Sequence, residues 1–263
     1  MHAGAITQHI DVAQVVLYVF WVFFAALVFY LRQEDRREGY PLENAKTGQV
    51  GANYWPLIPD QKTFLLPHGH GEVRAPNGVR DTRDLNAVPA GNFPGAPLVP
   101  TGNPLLAGVG PGSWAERADV PDLTMHGEAK IVPLAKAHGY YVAPGDPNPI
   151  GLPVRAYDGK IGGTISEIWV DQAEHMIRYL QVRVAEGRRD VLLPITFCLV
   201  RAGAEAPHVS VNAITSAEVA DVPLPKSPDQ ITLLEEEKVT AYYGAGQLYA
   251  TPKRADPILD PFI

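Results

Sequence analysis

The sequence of 263 residues contains a single cysteine, Cys198. An intramolecular disulfide is therefore excluded, and the scarcity of thiols fits a reducing compartment. Basic residues are also scarce, because 22 Lys and Arg stand against 29 Asp and Glu and give a formal charge of -7. This balance argues against a nucleic-acid-binding surface, which needs clustered basic side chains. The sequence also lacks a phosphate loop, a nucleophile elbow and a dinucleotide-binding fingerprint.

Charge is absent altogether from one stretch, residues 12–31, which holds 20 consecutive uncharged residues. As a helix it would be about 30 Å long, the thickness of a hydrocarbon core, and we interpret it as one transmembrane helix. A cleavable signal peptide and a buried core helix are the alternatives. The run has neither basic residues before it nor a helical polar stripe. Because Arg32, Arg36 and Arg37 follow the span, the positive-inside rule predicts a periplasmic segment at 1–11 and a cytoplasmic C-terminal portion.

Prolines are unevenly distributed, with 16 of the 25 lying between Pro41 and Pro149. Long helices and central strands are therefore not expected in this half of the chain. A disordered linker is one interpretation, but apolar residues such as Trp55 and Phe64 are more numerous than a free linker needs. We expect residues 32–105 to form an extended Pro/Gly-rich segment that lies on the surface of a partner.

The pattern changes to that of β-strands after residue 150. Residues 152–157 and 163–171, joined at Asp158 and Gly159, predict a hairpin. The period-two alternation of residues 176–184 indicates a half-buried strand, followed by a turn at 186–187. Short strands at this spacing suggest a small antiparallel barrel or sandwich.

A C-terminal helix is predicted near residues 228–243. Ser227 would be its N-cap, with Pro228 at the first helical position and Gln230 completing a capping box. We interpret the acidic residues 235–237 as a solvated face of this helix.

Several segments occur in an order and spacing that match one known family: residues 11–43, KTFLLPHG at 62–69, PTGNPL at 100–105, AKIVPL at 129–134, GLPV at 151–154, IWVDQAEHMIRYL at 168–180, and residues 227–255. Over nearly its whole length the chain resembles the H subunit of the purple-bacterial photosynthetic reaction centre. The resemblance implies a single N-terminal transmembrane helix and a cytoplasmic PRC-barrel-like antiparallel domain over residues 106–263, including the C-terminal helix.

The resemblance also implies a function. Such a chain is a non-catalytic subunit that caps the L and M subunits on the cytoplasmic side, stabilises the quinone sites and helps deliver protons to the secondary quinone. L and M would hold bacteriochlorophyll, bacteriopheophytin, quinones and non-haem iron, whereas this chain would bind no cofactor directly. The absence of His from residues 12–31 agrees, since a chlorin magnesium needs an axial ligand.

Partners and location follow from the same resemblance. The expected partners are L, M and membrane lipids, together with possible contacts to antenna polypeptides and a cytochrome subunit, and nucleic acid is not expected. The expected location is the bacterial inner photosynthetic membrane, with one span.

The family's proton-transfer motif matches this sequence at Asp171, Glu174 and Arg178. Glu174 is the first candidate for proton transfer, and its spacing of four from Arg178 lets the two side chains meet on one side. An ordinary loop salt bridge is the alternative. Pairing with Arg178 would favour the charged form of Glu174, and burial would disfavour it.

His126 and Glu128 match a second region, which in the family receives protons at the surface and can be blocked by transition-metal ions. Thr124 and Glu128 depart from the family's pattern of acids and histidines, so metal binding there stays open. Glu128 remains able to accept and pass a proton.

Two other classes of function compete with the reaction-centre interpretation. One is a single-pass membrane adaptor that uses its barrel to bind protein or RNA. The other is a membrane-tethered metalloenzyme that uses His68, His70 and His126, although two ligands on one strand make a weak site.

Overall fold

The computed structural model describes residues 11–42, 44, 49, 58–79, 81–184, 189–203 and 205–254. Predictions for the N-terminal segment before Asp11, for Trp55 and for the turn at 186–187 lie outside these residues. The chain divides into two compact units, Met1–Thr82 and Arg83–Ile263, which are described separately.

The first unit begins with the apolar helix α1, Val12–Glu34. Asp11 caps it by accepting a 2.7 Å hydrogen bond from the backbone N–H of Gln14. None of its residues is buried, so among the described residues of the first unit the helix presents a long apolar surface. Among the described residues it is the one helix long and apolar enough to cross a membrane. It extends three residues beyond the predicted end at Leu31, through a polar last turn.

The proline-rich half carries only short strands in its described part, as the proline distribution predicts. Each described strand has three or four residues. Ile131–Pro133 joins the larger sheet of the second unit, and the other four strands pair as two antiparallel hairpins. These are β1 Lys62–Leu65 with β2 Glu72–Ala75 in the first unit, and β3 Ala87–Pro89 with β4 Leu98–Pro100 in the second.

Arg37 attaches the first hairpin to the end of α1. Its Nη1 donates 2.8 Å hydrogen bonds to the carbonyl oxygens of both Asp60 and Ala75. Its Nε and Nη2 donate to the carboxylate of Glu34 at 3.0 and 2.8 Å. Lys62 Nζ donates to the same carboxylate at 2.9 Å. The last turn of α1 and both hairpin strands are therefore held by one network of ionic hydrogen bonds.

The second unit is organised around a seven-stranded sheet with the order β10-β11-β6-β7-β8-β9, in which β5 also pairs with β7. The strands are β5 Ile131–Pro133, β6 Pro153–Arg155, β7 Ile161–Asp171, β8 Met176–Val184, β9 Asp190–Pro194, β10 Cys198–Arg201 and β11 His208–Val211.

The β-rich fold class is confirmed, with two differences in detail. The described strands do not close into a barrel, and β11 pairs with β6 in parallel. Pro194 ends β9 without an N–H to donate, and the 3-10 turn Ile195–Phe197 then leads into β10 at the other end of the pairing order. The sheet therefore curls back on itself without a closing ladder.

The predicted hairpin and the alternating strand are both confirmed. β6 and β7 pair antiparallel, and β7 pairs with β8 along almost its whole length. In β8, Leu180, Val182 and Val184 are buried, whereas Gln181 is half-buried and Arg183 is exposed. The core lies on the side of these apolar residues.

The C-terminal helix α2 is Leu233–Tyr249, and its N-cap is Thr232. The predicted N-cap at Ser227 is wrong, because the Ser227 hydroxyl accepts the N–H of Asp229 in a local turn and the helix begins later. Thr232 and Glu235 instead form the capping box, with hydrogen bonds of 3.1 and 2.9 Å. Glu235 is consequently buried, so the prediction of a solvated acidic face fails at this residue.

Candidate functional site

The turn at residues 172–175, which joins β7 to β8, positions the predicted acidic residues. Asp171, the last residue of β7, is completely buried. Its Oδ1 accepts hydrogen bonds of 2.9 Å from the backbone N–H groups of both Ala173 and Glu174. His175 completes the turn in the left-handed backbone region, at φ 54°. Asp171 therefore fixes the backbone from which the Glu174 side chain projects.

Lys130 connects three carboxylates at this turn, and sequence reasoning did not identify it. Its Nζ lies 3.0 Å from Glu174 Oε1, 3.5 Å from Asp171 Oδ2 and 3.6 Å from Asp122 Oδ2. The hydrogen bond to Glu174 and the charges of the carboxylates raise the pKa of Lys130, against the opposing effect of burial. The backbone places Lys130 here because its carbonyl accepts the N–H of Gln172.

Arg178 supplies the second cation. Its Nε lies 3.6 Å from Asp171 Oδ2, and its Nη1 lies 4.0 Å from Glu174 Oε2. Asp171 Oδ2 makes no hydrogen bond in the described structure, so the two nearby cations compensate its charge through space. The turn thus brings Asp171, Glu174 and Arg178 close together. We call this group the Asp171 cluster; its members are Asp122, Lys130, Asp171, Glu174 and Arg178.

A polar cavity of about 360 Å³ opens beside the Asp171 cluster. A buried water needs only about 10–15 Å³ of such space and two to four polar partners, so this cavity has room for several waters. Its lining combines residues of the cluster with the first turns of α2: Arg117, Asp122, Lys130, Arg178, Leu233, Glu236, Glu237 and Thr240.

Glu236, which lines the cavity, also has an altered acidity. Burial raises its pKa above the ordinary range of a carboxyl group, although the hydrogen bond from Tyr179 opposes the shift. The Tyr179 hydroxyl donates to Glu236 Oε2 at 3.0 Å, and burial also raises the pKa of that phenol. Sequence reasoning missed Glu236 because it treated the acidic run as solvated. The T-x-x-E pattern at Thr232 and Glu235 is the signal that would have set the correct helix start.

His126 and Glu128 lie apart from the Asp171 cluster, in an exposed turn. The Thr124 hydroxyl accepts the backbone N–H groups of His126 and Glu128 at 3.3 and 3.4 Å. Within the described part of the chain, neither side chain has a hydrogen bond or ion pair to the cluster. The two ends of the same loop nevertheless carry Asp122 and Lys130, so the turn and the cluster belong to one structural element.

The metalloenzyme alternative depends on His68, His70 and His126. Among the described residues, no group of three or more His, Cys, Asp or Glu side chains is arranged to hold a metal ion. His68 and His70 lie in the connection between β1 and β2, where His68 adopts a left-handed backbone conformation.

One apolar helix long enough to cross a membrane, followed by a β-rich domain, fits a single-pass membrane protein. The family described as photosynthetic reaction centre, H-chain N-terminal region matches residues 4–136, and the PRC-barrel domain matches residues 145–212. The first match alone covers 133 of the 263 residues, which is more than half. The chain therefore belongs to the reaction-centre H-chain family.

Membership has direct consequences. The H chain is a structural subunit of a larger complex and not itself a cofactor-binding subunit, and it associates with other reaction-centre subunits. The match to the H-chain region also includes α1 and the proline-rich half, which a generic adaptor carrying the barrel alone would lack.

Proposed function

We propose that this H chain caps the L and M subunits on the cytoplasmic side of a bacterial photosynthetic membrane, stabilises their quinone sites and helps deliver protons to the secondary quinone. In this arrangement L and M hold the bacteriochlorophyll, bacteriopheophytin, quinones and non-haem iron. α1 anchors the chain with its N-terminus in the periplasm. Residues 32–105 lie on the partner subunits, and antenna polypeptides and a cytochrome subunit are further neighbours.

The Asp171 cluster beside the polar cavity is the observation that supports proton delivery. Reduction of a quinone to a quinol consumes two electrons and two protons, and protons cross protein through titratable groups and water because isolated charges are costly inside. Three carboxylates of the cluster face two cations, so its formal charge with all groups ionised is -1. One added proton neutralises this charge.

Glu236 supplies the group that holds a proton on the way in. Its raised pKa brings it closer to neutral pH, where a proton carrier is most effective. Tyr179 keeps its own proton and orients the carboxyl group through the 3.0 Å hydrogen bond. Glu236, Lys130 and Arg178 line the same cavity, which has room for waters that would connect them.

Glu174 is the group that passes the proton onward. Its side chain is 50% exposed while hydrogen-bonded to Lys130, so it belongs to the cluster and also faces outward. Asp171 is fully buried and accepts two backbone N–H groups, and its part is to position the turn and balance the cations.

The test is Glu174→Gln in the assembled complex, followed by flash spectroscopy. Removal of the titratable group should slow proton-coupled transfer of the second electron by roughly 10- to 100-fold, at or below the lower end of what positioned acid–base groups contribute. The first charge separation should be unchanged, because it needs no proton.

Glu205→Gln is the matched control, since Glu205 is exposed and far along the chain from the cluster. It should leave both electron transfers unaltered. Unchanged second-electron kinetics in Glu174→Gln would remove Glu174 from the route. The capping role fails separately if the chain purifies from photosynthetically grown cells as a pigment-free monomer in mild detergent.

A further inference from the structure

The hairpin of β1 and β2 has one apolar and one largely polar face. Cross-strand partners point to the same side of a two-stranded ribbon, and neighbours along a strand alternate. The register pairs Phe64 with Val73 and Lys62 with Ala75, which places these four side chains on one side, here called the Phe64 face. The opposite face carries the two remaining pairs, Thr63 with Arg74 and Leu65 with Glu72.

The Phe64 face is directed toward the apolar end of α1. Lys62 projects from this face, donates a hydrogen bond to Glu34 at 2.9 Å and lies 5.7 Å from the centre of the Tyr30 ring. Tyr30 is one helical turn closer than Glu34 to the middle of the apolar run. At the other strand, Arg37 binds the carbonyl oxygen of Ala75 at 2.8 Å. The orientation of the hairpin against the helix is therefore fixed at both strands.

The two large apolar side chains on the Phe64 face, Phe64 and Val73, are exposed, whereas Ala75 is buried. Phe64 and Val73 are each 43% exposed, and Leu66, two residues after Phe64, is 39% exposed. Leu65, on the opposite face, is 78% exposed. A short ribbon gains nothing in water from presenting a paired Phe and Val on one side while its other side carries Thr63, Glu72 and Arg74 beside the single apolar Leu65. The pattern is typical of an element that lies at a boundary between polar and apolar surroundings.

We propose that this hairpin lies in the headgroup layer of the membrane, with the Phe64 face toward the lipid. The uncharged run of α1 matches the hydrocarbon thickness, which places its last turn, and the hairpin bound to that turn, at the membrane surface. Lys62 beside Tyr30 is the kind of basic and aromatic pair that occupies this layer, since both side chains combine an apolar body with a polar tip.

This inference is independent of proton delivery and depends only on α1 crossing the membrane. The other face of the hairpin and the remainder of residues 32–105 lie on the partner subunits, as proposed above. A protein surface is the competing occupant of the Phe64 face, and the experiment below separates it from lipid.

The experiment places a nitroxide label at single positions of the hairpin in the complete complex, reconstituted into nanodiscs of phosphatidylcholine and phosphatidylglycerol. Phe64→Cys and Val73→Cys report the apolar face, and Thr63→Cys and Arg74→Cys report the other. Burial raises the pKa of the native Cys198 thiol to about 12, which keeps it poorly reactive near neutral pH. Complex with native cysteines only is labelled in parallel as the background.

Collision with dissolved oxygen, which concentrates in lipid, is compared with collision with a water-soluble nickel chelate. The labels at 64 and 73 should collide more with oxygen and those at 63 and 74 more with nickel. Two positions for the apolar face guard against a local disturbance by either substitution.

Two results overturn the proposal. Greater nickel collision at 64 and 73 means that the face is in water, and protection from both reagents means that protein covers it. A label at Val22, in the middle of α1, must favour oxygen; if it does not, the membrane-spanning assignment fails first, separately from proton delivery.

Discussion

Replacement of Lys130 by Met tests how the buried charge of Asp171 is compensated. Lys130 is 18% exposed and lies 3.5 Å from Asp171 Oδ2, while Asp171 is completely buried. Loss of one partner of a fully buried ion pair costs about 3–5 kcal/mol, because the other charge is left uncompensated. Arg178 still lies 3.6 Å from the same oxygen, so the expected loss in the free energy of unfolding is smaller, about 2–3 kcal/mol.

Thermal unfolding of the full-length chain in detergent, followed by circular dichroism, measures this loss. For a unit of this size each 1 kcal/mol lowers Tm by about 2–4 °C, so Lys130→Met should lower it by roughly 5–10 °C. Lys136→Met is the matched control, since Lys136 pairs with Asp229 at 2.6 Å but both side chains are about half exposed. An exposed pair of this kind is worth about 1 kcal/mol or less. Equal, small effects of both substitutions would contradict a compensating role for Lys130.

Three further predictions concern α2 and the residues packed against it. Burial raises the pKa of Glu236 in the folded state. The contribution of Glu236 to stability is therefore greatest at low pH and is lost as pH rises through that folded-state pKa. Because Gln cannot ionise, Glu236→Gln should raise Tm relative to the native chain more at pH 8 than at pH 4 in parallel melts. Thr232→Ala should cost about 1 kcal/mol by removing the helix cap, and Ser227→Ala should cost clearly less in urea titrations. Gly246→Ala should destabilise by about 1–3 kcal/mol despite better helix propensity, since its Cβ would lie 2.5 Å from the carbonyl oxygen of Ala213; a higher Tm would contradict this packing.

The sequence predicted elements whose signal is local. The uncharged run of α1 is set by composition, and the alternation in β8 is set by its contact with one core face. The start of α2 was missed because two capping patterns lie close together in the chain. Both Ser227 and Thr232 are followed three residues later by Gln or Glu, and only tertiary packing decides that Thr232 begins the helix and that Glu235 is buried.

The Asp171 cluster and the lining of the cavity beside it were predictable only in part, for a different reason. Asp171, Glu174 and Arg178 are neighbours in the chain, so one turn brings them together. Lys130 and Glu236 join them through pairing of the loop before β5 with β7 and through the docking of α2, and no local pattern reports such contacts. The parallel pairing of β11 with β6 escaped prediction likewise, because it joins strands that are distant in sequence.

Proton uptake from solution after the second flash is the measurement that tests proton delivery by this chain most directly. A pH-sensitive dye reports the uptake in complexes that carry either the native chain or Glu174→Gln. If the Asp171 cluster is the route, uptake and second-electron transfer slow together in the variant, while uptake after the first charge separation changes much less. Uptake at the native rate with Glu174 replaced would contradict the proposed function of the cluster.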